Sequence, residues 1–383
     1  MRRRLVVLLV DALGHELAGR VPGFAAALPH RRRLETILGF SSGALPTLFT
    51  GRLPREHGRW LMYRRAGAAG TPFRGFRLLG FLPARLRRSW KLSVLLTRLV
   101  ARRGVRGYFS LYQVPRELLE EFDLAERDDI FAPGGLPGDS LWDAAQRSGV
   151  RWRGWNWRTD EETALAAVAE ALERGPEDFL FCYTPGLDAA LHREGSAGAE
   201  VRARLARYDA WLARLADAGR RRGEELWLVL LSDHGMVDVR ATLDVMGALA
   251  RLSCRWPRDY VPFFDSTFAR FWWRSAAARG EVRAALEALR GGRWLADDEL
   301  ERAGALFPAR EYGEDIFLLD PGVLMVPSFM GSRPLAAMHG YDAGDPAMAA
   351  LLCASHPIPD EVRRLQDVRA YLEAALAWLQ EAR

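Results

Sequence analysis

Six side chains in this 383-residue sequence have the chemistry to hold divalent cations: Asp11, Asp188, His192, Asp233, His234 and His339. Aspartate oxygens and imidazole nitrogens suit Zn²⁺ first and Mn²⁺ as the alternative. Their positions single them out. Asp11 follows the apolar run 5–10, and Asp188 and His192 follow the run 179–183 across a Pro-Gly turn. Ser232-Asp233-His234-Gly235 follows the run 226–231, and Met338-His339-Gly340-Tyr341-Asp342 lies between two apolar stretches. Asp188 and His192 stand four residues apart, on one face of a helical turn. Asp233 and His234 are adjacent, so their side chains diverge; they share one ion only from a loop, or else they serve two sides of a cluster. Alone, each feature has a plainer reading. An Asp after a strand is usually a turn or cap residue, and an Asp/His pair at helical spacing is usually a solvated face. The conjunction at several strand ends carries the weight.

A nucleophile is offered by Gly39-Phe40-Ser41-Ser42-Gly43-Ala44-Leu45-Pro46-Thr47, two serines opening a helix-like run. The start of a helix presents free N–H groups and the positive end of its dipole, which suits a phosphoryl group. The competing reading is a serine N-cap.

These residues need a frame. The runs 5–10, 179–183 and 226–231 are short and continuously apolar, as strands buried on both faces of a parallel sheet are. Amphipathic segments 161–174, 197–220 and 360–381 alternate with them, predicting an α/β fold with a mostly parallel central sheet flanked by helices. In such sheets ligands gather at the carboxyl ends of strands, where the candidate residues fall. Two segments break the rhythm and are read as insertions on a single catalytic domain, 1–383. Residues 62–104 are basic and amphipathic, and 246–334 form a cap with a strand over 263–273. From His57 to Arg116 no acidic residue occurs.

The order of these motifs resembles the type I phosphodiesterase/nucleotide pyrophosphatase family of the alkaline phosphatase superfamily. An Asp ends the first strand, a hydroxyl residue stands nine positions before Thr50-Gly51, and Thr50-Gly51-Arg52-Leu53-Pro54-Arg55-Glu56-His57-Gly58 follows. Then come Asp188-x-x-x-His192-x-x-Gly195, Ser232-Asp233-His234-Gly235-Met236 and His339-Gly340-Tyr341-Asp342. The resemblance implies an alkaline-phosphatase-like fold with cap insertions and Ser41 as nucleophile, where the family usually carries Thr. It implies one cation at Asp11, Ser41, Asp233 and His234, and another at Asp188, His192 and His339. It implies a metal-dependent hydrolase of phosphodiester or pyrophosphate bonds working through a phosphoseryl intermediate. Ser42-Gly43-Ala44-Leu45 after Ser41 lacks the Pro and Arg of the sulfatase signature, which argues against a sulfatase. Alternatives are a phosphomonoesterase or phosphotransferase on a lipid-linked or other anionic substrate, and a binding protein that kept the fold without catalysis. No segment marks a nucleobase pocket. His57 reads as structural, and Tyr183 and Asp342 as groups that either orient ligands or merely pack.

Composition bounds the partners. The formal charge is +5 and Lys91 is the single lysine; so strong an arginine bias discounts arginine abundance as a nucleic-acid signal. Leucines outnumber aromatics in 57–116, which also argues against a nucleic-acid module. Around 86–100, Arg87, Arg88, Lys91 and Arg98 accompany Leu92, Leu95, Leu96 and Leu99, the composition of an interfacial helix on an anionic membrane. Three scattered cysteines, Cys182, Cys254 and Cys353, suggest a reducing compartment. The apolar run 5–10 is too short for a signal segment. The expected location is the cytoplasm, with peripheral contact at the membrane. The oligomeric state is left open.

Overall fold

The structure is a computed structural model and describes residues 2–68, 70–87 and 89–381. Arg88, one of the cations assigned to the basic helix, lies outside the described residues. Six strands form the central sheet in the order His30–Leu34, Ala350–Ala354, Glu225–Leu231, Arg3–Val10, Phe179–Thr184, Trp152–Trp155. The last four are parallel, and Ala350–Ala354 runs antiparallel to both its neighbours. The α/β expectation with a mostly parallel sheet is borne out.

Side chains alternate between the faces of a strand, and both faces here are buried. Leu5, Val7 and Leu9 enter one core with Phe179, Phe181, Val229 and Leu231. Val6, Leu8 and Val10 enter the opposite core with Leu180, Cys182, Leu228 and Leu230. Helices Ser41–Thr50, Leu141–Arg147 and Val368–Gln380 contribute to the first core, and Glu161–Arg174, Gly186–Glu194 and Ala199–Arg222 to the second. At about 25 cal/mol per Å² of apolar surface, this two-sided burial is the main force holding the strand ends, and so the site, in register. No described helix is long and apolar enough to cross a membrane.

Segments 62–104 and 246–334 meet in a third core. Tyr63, Phe73, Phe76, Leu96 and Val100 pack with Val261, Phe263, Phe264 and Phe271. The strand expected over 263–273 is instead a hairpin, Tyr260–Phe264 turning into Phe268–Trp273. Continuous apolar character hid the turn, which is fixed by a polar pair: Arg270, fully buried, donates from Nε to Asp265 Oδ2 at 2.7 Å. The basic segment also differs from expectation. It is two helices, Ala84–Arg87 and Trp90–Arg102, because Ser89 caps the second by accepting from Leu92 N–H at 3.2 Å. Its stripe of Leu92, Leu96 and Leu99 packs against the third core and does not face outward.

Candidate active site

The strand ends deliver the candidate residues to one place. Asp11 lies one residue beyond Arg3–Val10, and Asp233 and His234 two and three beyond Glu225–Leu231. Asp188 and His192 sit on the short helix Gly186–Glu194, and His339 directly follows the bridge strand Ala337–Met338. Two groups result, Asp11 with Asp233 and His234, and Asp188 with His192 and His339; within each, potential ligand atoms lie within 4.8 Å of one another. Asp233 and His234 therefore join one cluster, from a loop. The clusters touch through the stacked imidazoles of His234 and His339, 4.0 Å between centroids. Two glycines permit tight packing beside these histidines. A Cβ on Gly235 would lie 1.9 Å from the Ala347 carbonyl oxygen. Gly340 has φ of 81°, and its Cβ would lie 2.4 Å from the Phe40 ring.

Ser41 opens helix Ser41–Thr50, where the N–H groups of Ser41 and Ser42 precede the first intrahelical bonds, which Gly43 and Ala44 N–H make to the Phe40 carbonyl. Its Oγ stands 2.9 Å from His234 Nε2 and 3.5 Å from Asp11 Oδ1. Ser42 points elsewhere, donating to the Trp60 carbonyl at 3.1 Å.

The ring nitrogens are oriented for ligation. His192 Nδ1 lies 2.9 Å from the Ala337 carbonyl, and His234 Nδ1 lies 2.9 Å from the Gly235 carbonyl. A carbonyl accepts only, so each Nδ1 carries a proton, and in the neutral ring each Nε2 presents a lone pair. His234 Nε2 then faces Asp11 Oδ1 at 3.4 Å and Asp233 Oδ2 at 3.3 Å. Lone pair against carboxylate oxygens is repulsive unless a cation lies between them. Asp233 Oδ2, Asp188 Oδ1 and His339 Nδ1 are buried without a hydrogen-bond partner among the described residues. Burial leaves such atoms costly unless something satisfies them. The residues thus fit a pair of divalent ions, with an oxygen and nitrogen donor set that Zn²⁺ and Mn²⁺ accept.

Titration follows from the same crowding. Burial, then the charges of Asp233 and Asp188, push the Asp11 carboxyl well above its ordinary value, although Tyr183 O–H donates to its Oδ2. Burial also opposes charge on Asp188, but the imidazole of His192, whose Nε2 faces Oδ1 at 3.3 Å, outweighs it when protonated, with His339 and His234 adding, and holds the carboxyl at about 2. Burial and the nearby charge of His234 push His339 well down.

Residues 111–290 match the model of a family described as type I phosphodiesterase / nucleotide pyrophosphatase. The family resemblance stands. Asp188, His192, Asp233 and His234 lie inside the match, and Asp11, Ser41 and His339 outside it. No curated protein sequence matches the chain. In fold, the whole chain is similar to the murine ectonucleotide pyrophosphatase / phosphodiesterase 5, with TM-score 0.69 and 15% identity over 98% of this chain and 95% of that one. It is also similar to the human protein, with TM-score 0.67 and 14% identity over 98% and 95%. An inactive variant of the murine protein in complex with AMP gives TM-score 0.66 and 16% identity over the same shares. At these identities the likeness is one of fold.

Other residues of the phosphodiesterase-like motifs have structural work. His57 is buried beside Thr47 Oγ1, 3.0 Å from its Nε2, and burial followed by the charge of Arg59 lowers it to about 3. Asp342 is exposed and pairs with Arg293 at 3.2 Å, away from both candidate clusters. Tyr183 does hold a candidate ligand, Asp11, through its hydroxyl.

Sequence reasoning missed the cleft in front of the clusters, about 470 Å³, which Phe40, Met62, Tyr108, Tyr112, Phe131 and Trp157 wall with Glu126 and Asp265. Most of this wall comes from chain with no periodicity; the aromatics Tyr108, Tyr112 and Trp157 in that chain were the one available signal. Glu126 is buried and accepts from Tyr108 N–H at 2.8 Å. Burial raises it to about 7, against the pull of Tyr108 N–H and the charge of Arg59. The folded protein therefore holds this proton at pH values where the unfolded chain has lost it. The associated stability is complete below about 4.5 and is lost as pH rises through about 7, roughly 3 kcal/mol in all. Glu126→Gln is expected to remove that slope. Urea unfolding of both proteins at about pH 5 and pH 8 checks it, and equal slopes would assign the ionisation elsewhere.

Proposed function

We propose that the chain is a hydrolase of phosphodiester or pyrophosphate bonds acting through a phosphoseryl intermediate on Ser41. Its single catalytic domain, residues 1–383, carries 62–104 and 246–334 as cap insertions. Two divalent ions, zinc ahead of manganese, would be held by Asp11, Ser41, Asp233 and His234 and by Asp188, His192 and His339. The observation that carries this reading is the position of Ser41 Oγ at a helix N-terminus, against a buried cluster of acceptors. Bound ions would supply the positive charge that makes a serine hydroxyl a usable nucleophile and offsets charge on the phosphoryl oxygens.

The chain's own residues do the positioning. Free N–H groups at the start of Ser41–Thr50 receive phosphoryl oxygens. His192 and His234, held by the Ala337 and Gly235 carbonyls, keep Nε2 turned inward. In the first displacement the Oγ–P bond forms as the P–O bond to the leaving group breaks; the hydroxyl proton passes to solvent and the leaving oxygen takes one from it. In the second, water attacks phosphorus, the Oγ–P bond breaks, and Oγ regains a proton.

The cleft lining includes no lysine or arginine among the described residues and is largely apolar. That favours, as a second reading, an apolar or lipid-linked substituent on the phosphate, with a phosphomonoesterase or phosphotransferase reaction on it. The three cysteines are unpaired and buried, which supports a cytoplasmic setting.

A hydrolysis panel with added Zn²⁺ or Mn²⁺ tests the reading. It compares nitrophenyl phosphate, bis-nitrophenyl phosphate, a nucleotide sugar and a phospholipid. Turnover of the diester above the monoester is expected. Faster monoester turnover would overturn the diesterase assignment, and no turnover of any substrate with either metal would leave the non-catalytic binding protein.

A further inference from the structure

Exposed large apolar side chains are concentrated in one short stretch. Leu78 is 62% exposed, Phe81 88%, Leu86 54%, Trp90 71% and Leu95 62%. Single exposed apolar residues are ordinary, but so many within one short stretch of chain mark a surface that meets something. The stretch is not unfolded chain. Helix Trp90–Arg102 buries Leu96 and Val100, and Arg116 Nη2 donates to Ser93 Oγ at 2.9 Å. Arg116 follows closely the segment whose Tyr108 and Tyr112 line the cleft. The helix thus has one face committed to the protein, and its other face carries Trp90, Val94 and Leu95 with Lys91, Arg98 and Arg102.

Charge chooses the occupant. Residues 58–116 contain no Asp or Glu. Glu117 and Glu120 reach in to pair with Arg87 at 2.7 Å and Arg77 at 3.7 Å. Arg85, Lys91, Arg98 and Arg102 are exposed with no ion-pair partner among the described residues. A second copy would bring its own uncompensated cations against these. An apolar ridge set among free cations matches an anionic bilayer, where side chains enter the acyl boundary and cations meet headgroups.

We propose that residues 76–87 and 89–102 form a membrane-docking surface that seats on anionic lipid through Leu78, Phe81, Leu86, Trp90 and Leu95, with Lys91, Arg98 and Arg102 at the headgroups. This does not depend on the catalytic reading, because binding requires no turnover.

Sedimentation of the full chain with phosphatidylglycerol vesicles, and separately with phosphatidylcholine vesicles, tests it. Binding to the anionic vesicles is expected, weakening with salt, and little binding to the neutral ones. Lys91→Ser with Arg98→Ser is expected to weaken binding about fivefold per charge at low salt. Phe81→Ser with Trp90→Ser and Leu95→Ser is expected to abolish binding that persists at high salt. All five positions are exposed, so folding is preserved, and an unchanged circular dichroism melt verifies that. No binding to anionic vesicles overturns the proposal, as does binding unchanged in both variants. Sedimentation equilibrium showing a dimer that the triple variant loses, without vesicle binding, would assign the surface to a second copy.

Discussion

Replacing Ser41 by alanine is expected to lower kcat by a factor on the order of 10³ or more, the scale seen when a nucleophile is removed from a preorganised site. The change deletes only Oγ. Ser41 sits at the first turn of its helix with Phe40 as the capping position, and no side-chain cap bond is lost. Asp11, Asp233 and His234 keep one another's company, so metal content and melting temperature are expected to stay near wild type. Ser42→Ala is the control. Its Oγ donates to the Trp60 carbonyl, a bond worth about 1 kcal/mol, and its loss is expected to cost stability with turnover reduced less than about tenfold. Rates and metal content on both variants decide the matter. A dead Ser42→Ala enzyme beside an active Ser41→Ala enzyme would move the nucleophile by one residue.

The sheet was legible because its strands are buried on both faces, so runs such as 5–10 and 226–231 are apolar without interruption. The residues just past those runs were legible because a parallel sheet leaves its functional groups at carboxyl ends. Three things were not. The 263–273 hairpin was hidden because its turn rests on the buried Asp265–Arg270 pair, whose polarity matters only once the partners meet. The inward face of Trp90–Arg102 was misassigned because its leucine stripe carries the same periodicity whether it faces a core or a membrane. The cleft wall was invisible because Tyr108, Glu126 and Trp157 converge from irregular chain. Asp342 is the reverse case, a motif residue close to His339 in sequence that pairs with Arg293 away from both clusters.

Stripping the metals with a chelator is expected to abolish hydrolysis and destabilise the fold, with both restored by Zn²⁺ or Mn²⁺. Without cations the site is internally opposed. Asp11 is pushed well above its ordinary value by burial and by Asp233 and Asp188, and the His234 Nε2 lone pair faces carboxylate oxygens. Ions that bind the folded chain alone add stability as the logarithm of their concentration, about 4 kcal/mol at ~1,000 times Kd. The ligands must be deprotonated to bind, so the gap between metal-loaded and stripped protein is expected to widen as pH rises from about 5 to 8. Asp233→Asn separates this account from general ion effects. Oδ1 accepts from Ala12 N–H at 3.3 Å and His234 N–H at 3.1 Å, and asparagine keeps an oxygen for both. Its amide nitrogen then replaces Oδ2 and points at His234 Nε2, donating where a carboxylate repelled. The stripped variant is therefore expected to be as stable as stripped wild type or more so, while losing hydrolysis and much of the stability gained on adding metal. Thermal melts with and without Zn²⁺, read beside elemental analysis, measure both quantities. A variant that retained the full metal-dependent gain would remove Asp233 from the ligand set, since the charge it gave up would then not have been holding an ion.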